Sequence, residues 1–311
     1  MTTLDAVAAY LPDRRVPIGE LGAELELTPT QVRVLQRFNG FTEVRRQRPG
    51  ESLVDLLHGA VAALEPLRGR EHLVRYVLYA RGVPVVTPYP ANPVHELTRR
   101  LGLTGAVALA VAHHACASGL LAIDLAGRLL AGDGEPGALA LVVAGEQVFT
   151  QDPRLAPDQR VFGEGAGACL VSADGARDRL LSYVVSQRGD LDHWGEDGES
   201  AMSRFAEDYT ELLAEVVLAA VKEAGLVLDE VALVLPHNVN MVSWRRVCRR
   251  LGIPLEKVLL DNVALVGHTP SADAFINYAS AVEQDRLRDG DCYVVAAAGL
   301  GSIFSAMVFE H

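Results

Sequence analysis

Short, unbroken apolar runs alternate along the chain with stretches of helical period. Residues 139–145, 231–236 and 293–299 are each an uninterrupted apolar run ending in Gly or Pro. Runs of that length without polar alternation predict strands buried on both faces, as in a sheet covered by helices. Residues 203–224 place Phe205, Tyr209, Leu212, Leu213, Val216, Val217 and Ala220 on one stripe, with Gly225 as the stop. Residues 92–101, 119–131, 243–251 and 274–283 also read as helices, and 261–266 as a further strand-like run. Strands alternating with helices predict an α/β architecture.

A weak internal echo runs through this pattern. Residues 163–172 and 299–309 are each a glycine-rich turn leading into an apolar strand. Their separation is about half the chain, which suggests two similar halves meeting near 172–180. We expect an N-terminal half over 1–175 and a C-terminal half over 176–311. The run Gly163-Glu164-Gly165-Ala166-Gly167 is followed by strand rather than helix, so it reads as a tight turn and not a phosphate loop, which needs a helix N-terminus.

Charge removes several function classes. The 311 residues carry 28 Lys and Arg against 40 Asp and Glu, a formal charge of -12. Nucleic acid and anionic membranes both call for a positive surface. Residues 18–38 superficially resemble a helix-turn-helix, but only Arg33 and Arg37 would meet phosphates while Glu20, Glu24 and Glu26 repel them. Surface helices are the better reading. Cys116, Cys169, Cys248 and Cys292 are widely spaced, against a disulfide framework or zinc site. The N-terminus lacks a signal-peptide pattern, and no apolar run reaches the ~18–20 residues of a membrane span. A cytoplasmic, soluble protein is expected.

The most informative stretch is 107–126, where an apolar run leads through His113-His114-Ala115-Cys116-Ala117-Ser118-Gly119 into an apolar helix. A thiol at a strand-to-helix turn faces the first helical N–H groups, which favour thiolate over the free thiol with its pKa of ~8.5. The small neighbours leave room for a substrate. A buried cysteine acting as a small hydrophobe is the competing reading. His114 and Cys116 would share a strand face as metal ligands, but the sequence offers no fourth ligand in reach. His237, in Pro236-His237-Asn238-Val239-Asn240, lies where a strand leaves the sheet, a usual place for ligands. His268, in Gly267-His268-Thr269-Pro270-Ser271-Ala272, is expected at another strand-to-helix turn, with Asp273 stabilising the helix start. A thiol and two imidazoles at such turns fit nucleophilic catalysis on a carbonyl.

On these residues, with Phe162-Gly163-Glu164-Gly165-Ala166-Gly167-Ala168, the terminal Gly299-Leu300-Gly301-Ser302 and the opening Leu11-Pro12-Asp13-Arg14-Arg15-Val16, the sequence resembles the thiolase superfamily, specifically β-ketoacyl synthase III-like condensing enzymes. The resemblance implies a five-layer αβαβα fold of two pseudo-duplicated halves and a homodimer. It assigns Cys116 as the nucleophile, His237 and His268 as catalytic, and the backbone N–H groups of Cys116 and Gly299 as the oxyanion hole. No cofactor or metal is implied; CoA or phosphopantetheine carries the thioester substrate. Synthase III proteins normally carry Asn where His268 stands, which suggests a specialised, secondary-metabolite pathway.

Three functions follow as expectations. The first is condensation of a Cys116-bound acyl group with a malonyl-type thioester, in which two imidazoles stabilise the enolate oxygen. The second is transfer of that acyl group to a hydroxyl or amine, with His237 as general base. The third is a non-catalytic partner subunit of a condensing-enzyme heterodimer, against which the complete Cys-His-His set argues. The helix 243–251 carries Arg245/Arg249 and Arg246/Arg250 at i,i+4 spacing, a basic ridge that could meet an acyl carrier protein or the pantetheine phosphate, or simply face solvent. Trp244 could line an entry tunnel or belong to the core.

Overall fold

The structure, a computed structural model, describes residues 1–83, 86–88, 90–148, 161–189 and 198–311, with backbone alone for 198–204. In chain order the strands are β1 (Thr3–Tyr10), β2 (Arg14–Pro17), β3 (Glu43–Arg46), β4 (Val74–Ala80), β5 (Val107–Val111), β6 (Leu139–Glu146), β7 (Gly165–Ser172), β8 (Arg179–Gln187), β9 (Val231–Pro236), β10 (Cys292–Gly299) and β11 (Ile303–Glu310). The helices are α1 (Ile18–Glu24), α2 (Pro29–Arg37), α3 (Leu53–Ala62), α4 (Pro93–Arg100), α5 (Ser118–Asp133), α6 (Gly198–Glu223), α7 (Met241–Leu251), α8 (Asp261–Leu265) and α9 (Asp273–Glu283).

Unbroken apolar runs become strands because both of their faces are covered. In β6, Leu139, Leu141 and Val143 enter one core while Ala140, Val142 and Ala144 enter another, the two-residue alternation of a pleated strand. Nine strands hydrogen-bond in the order β5-β4-β6-β7-β1-β8-β11-β10-β9, and β2 pairs with β3 apart from them. The two flanks of this array repeat one another. β4 runs parallel to β6, which is antiparallel to β7. Likewise β9 runs parallel to β10, which is antiparallel to β11. The flanks join where Thr3 of β1 pairs with Arg179 of β8.

Three cores separate five layers. α3 covers the outer face of the first flank. α5 and α9 share the central core with strands from both flanks. α6 and α7 cover the outer face of the second. This αβαβα layering is the thiolase-like fold that the resemblance implies. The apolar stretch 115–133 is long and apolar enough to cross a bilayer by length and composition alone. In the fold, that character serves the central layer, where a helix meets apolar surface on two sides.

Several local expectations need correction. Residues 261–265 form the short helix α8 rather than a strand, because Val266 and Gly267 donate backbone N–H bonds back to Asn262 O. Asn262 is itself fixed by its side-chain amide, which donates to Asn277 and Ser280. The strand before Cys116 stops at Val111, so His113 and His114 lie in a turn instead of on strand faces. Helix α6 begins at Gly198, ahead of residue 203. Cys292, in an apolar run that reads as a core strand like that of Cys169, is only partly buried, whereas Cys169 and Cys248 are core residues. The helix pair at 18–38 exists, but α1 turns Ile18 and Leu21 into the second-flank core.

Candidate active site

Cys116 sits in a single tight turn, residues 115–117, between β5 and α5. Ala115, just before it, has φ +46, a left-handed conformation that costs energy for a residue with a side chain. The surroundings hold the turn in place. Ser271 Oγ donates to Ala115 O at 3.0 Å. Gly299 closes the far side: a Cβ there would lie 2.2 Å from His114 O. Gly119, in the first turn of α5, packs so tightly that a Cβ would lie 2.3 Å from Ser271 O. Glycine at 119 and 299 therefore lets three separate segments close on the sulfur.

His268 reaches the thiol from a loop between α8 and α9. Its Nε2 lies 3.1 Å from Cys116 Sγ, and its Nδ1 lies 2.6 Å from Asp273 Oδ2. Asp273 is fixed in turn. Asn238 N and Thr269 N donate to it at 2.7 and 2.8 Å, and the Thr269 hydroxyl and Asn238 amide add two further bonds. The result is a Cys–His–Asp relay in which both ends of one imidazole are held. Burial opposes charge on His268, but the Asp273 carboxylate and the Cys116 sulfur outweigh it and push its pKa up to about 10. Burial likewise opposes ionisation of Asp273, yet His268 and the donors around it hold the carboxyl below its ordinary value.

His237 leaves the end of β9, and its ring centroid is 6.0 Å from that of His268 at 69°. Its Nε2 lies 2.7 Å from the Tyr209 hydroxyl of α6. Trp244, fully buried, donates its indole N–H to His237 O at 2.9 Å. The tryptophan is thus a core residue that anchors the strand end. The structure brings Cys116, His237, His268 and the Gly299 end of β10 into one place, although they are far apart in sequence.

Sequence patterning missed three neighbours. Asp273 was expected only to steady a helix start; its position five residues after His268 was the available signal. Tyr209 lay on a stripe read wholly as core. Glu146, the polar residue that ends the β6 run, is buried and accepts N–H bonds from Gly82 and Val83 at 2.6 and 3.0 Å. Burial raises its pKa to about 7, partly offset by those two donors. Glu164 accepts from Gln47 N and Val148 N and so braces the glycine turn. Arg245, Arg246, Arg249 and Arg250 all face outward on α7, but Arg250 is engaged by Glu211 of α6.

Residues 221–311 match the family described as 3-Oxoacyl-[acyl-carrier-protein (ACP)] synthase III C terminal. A beta-ketoacyl-[acyl-carrier-protein] synthase III of Rhodobacter capsulatus is 28% identical across 98% of this chain and 97% of its own. The chain is therefore similar to synthase III proteins along its length, and its C-terminal part matches their family model. A second synthase III, from Lactobacillus delbrueckii subsp. bulgaricus, is 31% identical over 62% of this chain; the match spans 65% of that relative's length. Among solved structures, the synthase III of Aquifex aeolicus superposes with TM-score 0.84 at 20% identity, covering all of both chains. ChlB3, described as an acyltransferase, superposes with TM-score 0.85 at 20% identity over 99% of this chain and 97% of its own. These two superpositions establish the synthase III-like fold.

Proposed function

We propose that this protein is an acyl-thioester enzyme: Cys116 takes an acyl group from CoA or an acyl carrier protein and passes it to a hydroxyl or amine acceptor. The observation that carries this reading is the relay from Cys116 through His268 to Asp273. Cys116 sulfur attacks the thioester carbonyl while His268 carries the proton, and the collapsing tetrahedral oxyanion expels the carrier thiolate, which takes that proton from His268. Acylation removes the sulfur charge that had favoured the imidazolium. His268 is then neutral, fixed by Asp273, and placed to remove the acceptor proton as that oxygen or nitrogen attacks the acyl carbon. An imidazole with its second nitrogen on a carboxylate suits a general base. The backbone N–H groups of Cys116 and Gly299 are the proposed oxyanion donors.

Condensation with a malonyl-type thioester is the second reading, favoured by the two imidazole rings lying 6.0 Å apart and by the names of the sequence relatives. ChlB3, described as an acyltransferase, favours the first. We also propose a homodimer through the edge of β5, which ends the sheet and leaves Val107 58% exposed.

Intact-mass spectrometry after exposure to an acyl thioester should show one acyl adduct on Cys116. Subsequent addition of soluble alcohols and amines should discharge it as ester or amide, without carbon dioxide. Release of carbon dioxide with chain extension from a malonyl thioester would establish condensation instead. Absence of any adduct would return the protein to the role of a non-catalytic partner subunit.

A further inference from the structure

An imidazole offers two ring nitrogens, and in His237 one of them is already committed. Its Nε2 lies 2.7 Å from the Tyr209 hydroxyl, inside the core. Tyr209 is held there by rings on three sides. It meets Phe205 and Phe304 edge-on at 6.0 and 6.1 Å, and His237 edge-on at 5.8 Å. Phe205 and Phe304 stack on each other at 5.6 Å, while Trp244 packs against His237 at 5.9 Å. The hydroxyl is therefore delivered to Nε2 by a packed aromatic cluster, and short side-chain motions do not release it.

This matters for the fate of the acyl group. In condensation the carbon–carbon bond to the carboxylate of a malonyl thioester breaks and carbon dioxide leaves. The electron pair then forms a thioester enolate, which attacks the acyl carbon and expels the Cys116 thiolate. Negative charge gathers on one thioester oxygen, and hydrogen-bond donors aimed at that oxygen lower the barrier. A tyrosine that donates to Nε2 makes it an acceptor, which repels such an oxygen. A tyrosine that accepts from Nε2–H uses the proton the enolate needs. In either tautomer Nε2 has no free proton for the enolate.

We infer that Tyr209 is a specificity-determining positioning residue: by holding His237 Nε2 it withholds that nitrogen as a donor from a malonyl thioester and biases acyl-Cys116 toward heteroatom acceptors. The inference rests on the acyl-transfer reading above. Acyl transfer itself needs only the Cys116–His268–Asp273 relay.

The test is the partition of one acyl-enzyme between two products. Wild type and Tyr209→Phe are loaded from the same acyl thioester, and carbon dioxide released from malonyl thioester is measured against ester or amide formed with a fixed alcohol or amine. Removing only the hydroxyl, and keeping the ring, should raise the ratio of carbon dioxide to transferred acyl group by about tenfold or more. The double variant Tyr209→Phe/His237→Ala should lose that rise, because the gain runs through His237. A purely packing role would lower both products together and leave the ratio unmoved. An unchanged ratio in Tyr209→Phe, with wild type releasing little carbon dioxide, overturns the role of Tyr209 and leaves the acyl-transfer reading standing. Rapid carbon dioxide release and chain extension by wild type overturns both.

Discussion

Asp273 Oδ2 stands 2.6 Å from His268 Nδ1, and the opposite nitrogen of the same ring stands 3.1 Å from Cys116 Sγ. The carboxylate fixes both the ring orientation and the tautomer that can act at the sulfur. Asp273→Asn keeps the shape but can hold the ring in the wrong tautomer. We expect turnover to fall by ~10²–10⁴-fold, as it does on the same exchange behind a catalytic histidine in other enzymes, and Tm to fall as well, because an amide NH2 would face donors that now bond the buried carboxylate. Steady-state acyl transfer and thermal melting check it; a loss of activity matched by unfolding would make Asp273 structural only.

Cys116 and Cys169 are both buried thiols, so burial alone does not separate them. Their partners do. Cys169 is in the strand core, where burial pushes its pKa far above the ordinary value, with Asp178 adding to the shift. Cys116→Ala should abolish the acyl adduct seen by intact-mass spectrometry. Cys169→Ala should leave it in place, at a stability cost of under about 2 kcal/mol for a small core truncation.

Glu146 gives a pH signature. Its pKa is raised from the ordinary 4.5 to about 7, first by burial. The folded state therefore binds this proton more tightly than the unfolded chain. Its contribution to stability is fully present below about pH 4.5 and is lost as pH rises through about 7. Glu146→Gln is uncharged throughout and loses this dependence. Denaturant midpoints of variant minus wild type should move in favour of the variant between pH 4.5 and 7.5; a difference independent of pH would show that the carboxyl does not titrate there.

Arg245 and Arg249 face outward one turn apart on α7, which follows the loop that begins at His237. Arg250 is paired with Glu211, so the expected four-residue ridge is narrower in the fold than on a helical projection. If the remaining cations meet an acidic carrier protein, charge reversal at both should raise KM for carrier-linked substrate about tenfold or more and spare a short thioester analogue. Equal effects on the two substrates would remove docking from their role.

Local pattern and tertiary assembly contributed different things. Apolar runs without alternation sufficed to predict β6, β9 and β10, because a strand covered on both faces takes that composition. The stripe through Tyr209 located α6 for a similar reason. The run before His268 misled, since 261–266 is short and apolar in either state; the Asn262 contacts with Asn277 and Ser280 accompany a helical turn that no local period reveals. The motifs marked Cys116, His237 and His268 one by one. Which of them touch was decided by folding: the sulfur meets His268, while His237 is turned to Tyr209. Side-chain identity and period are written along the chain, but a hydrogen bond between residues 152 positions apart depends on how five layers stack, and that is set by the packing of every layer together.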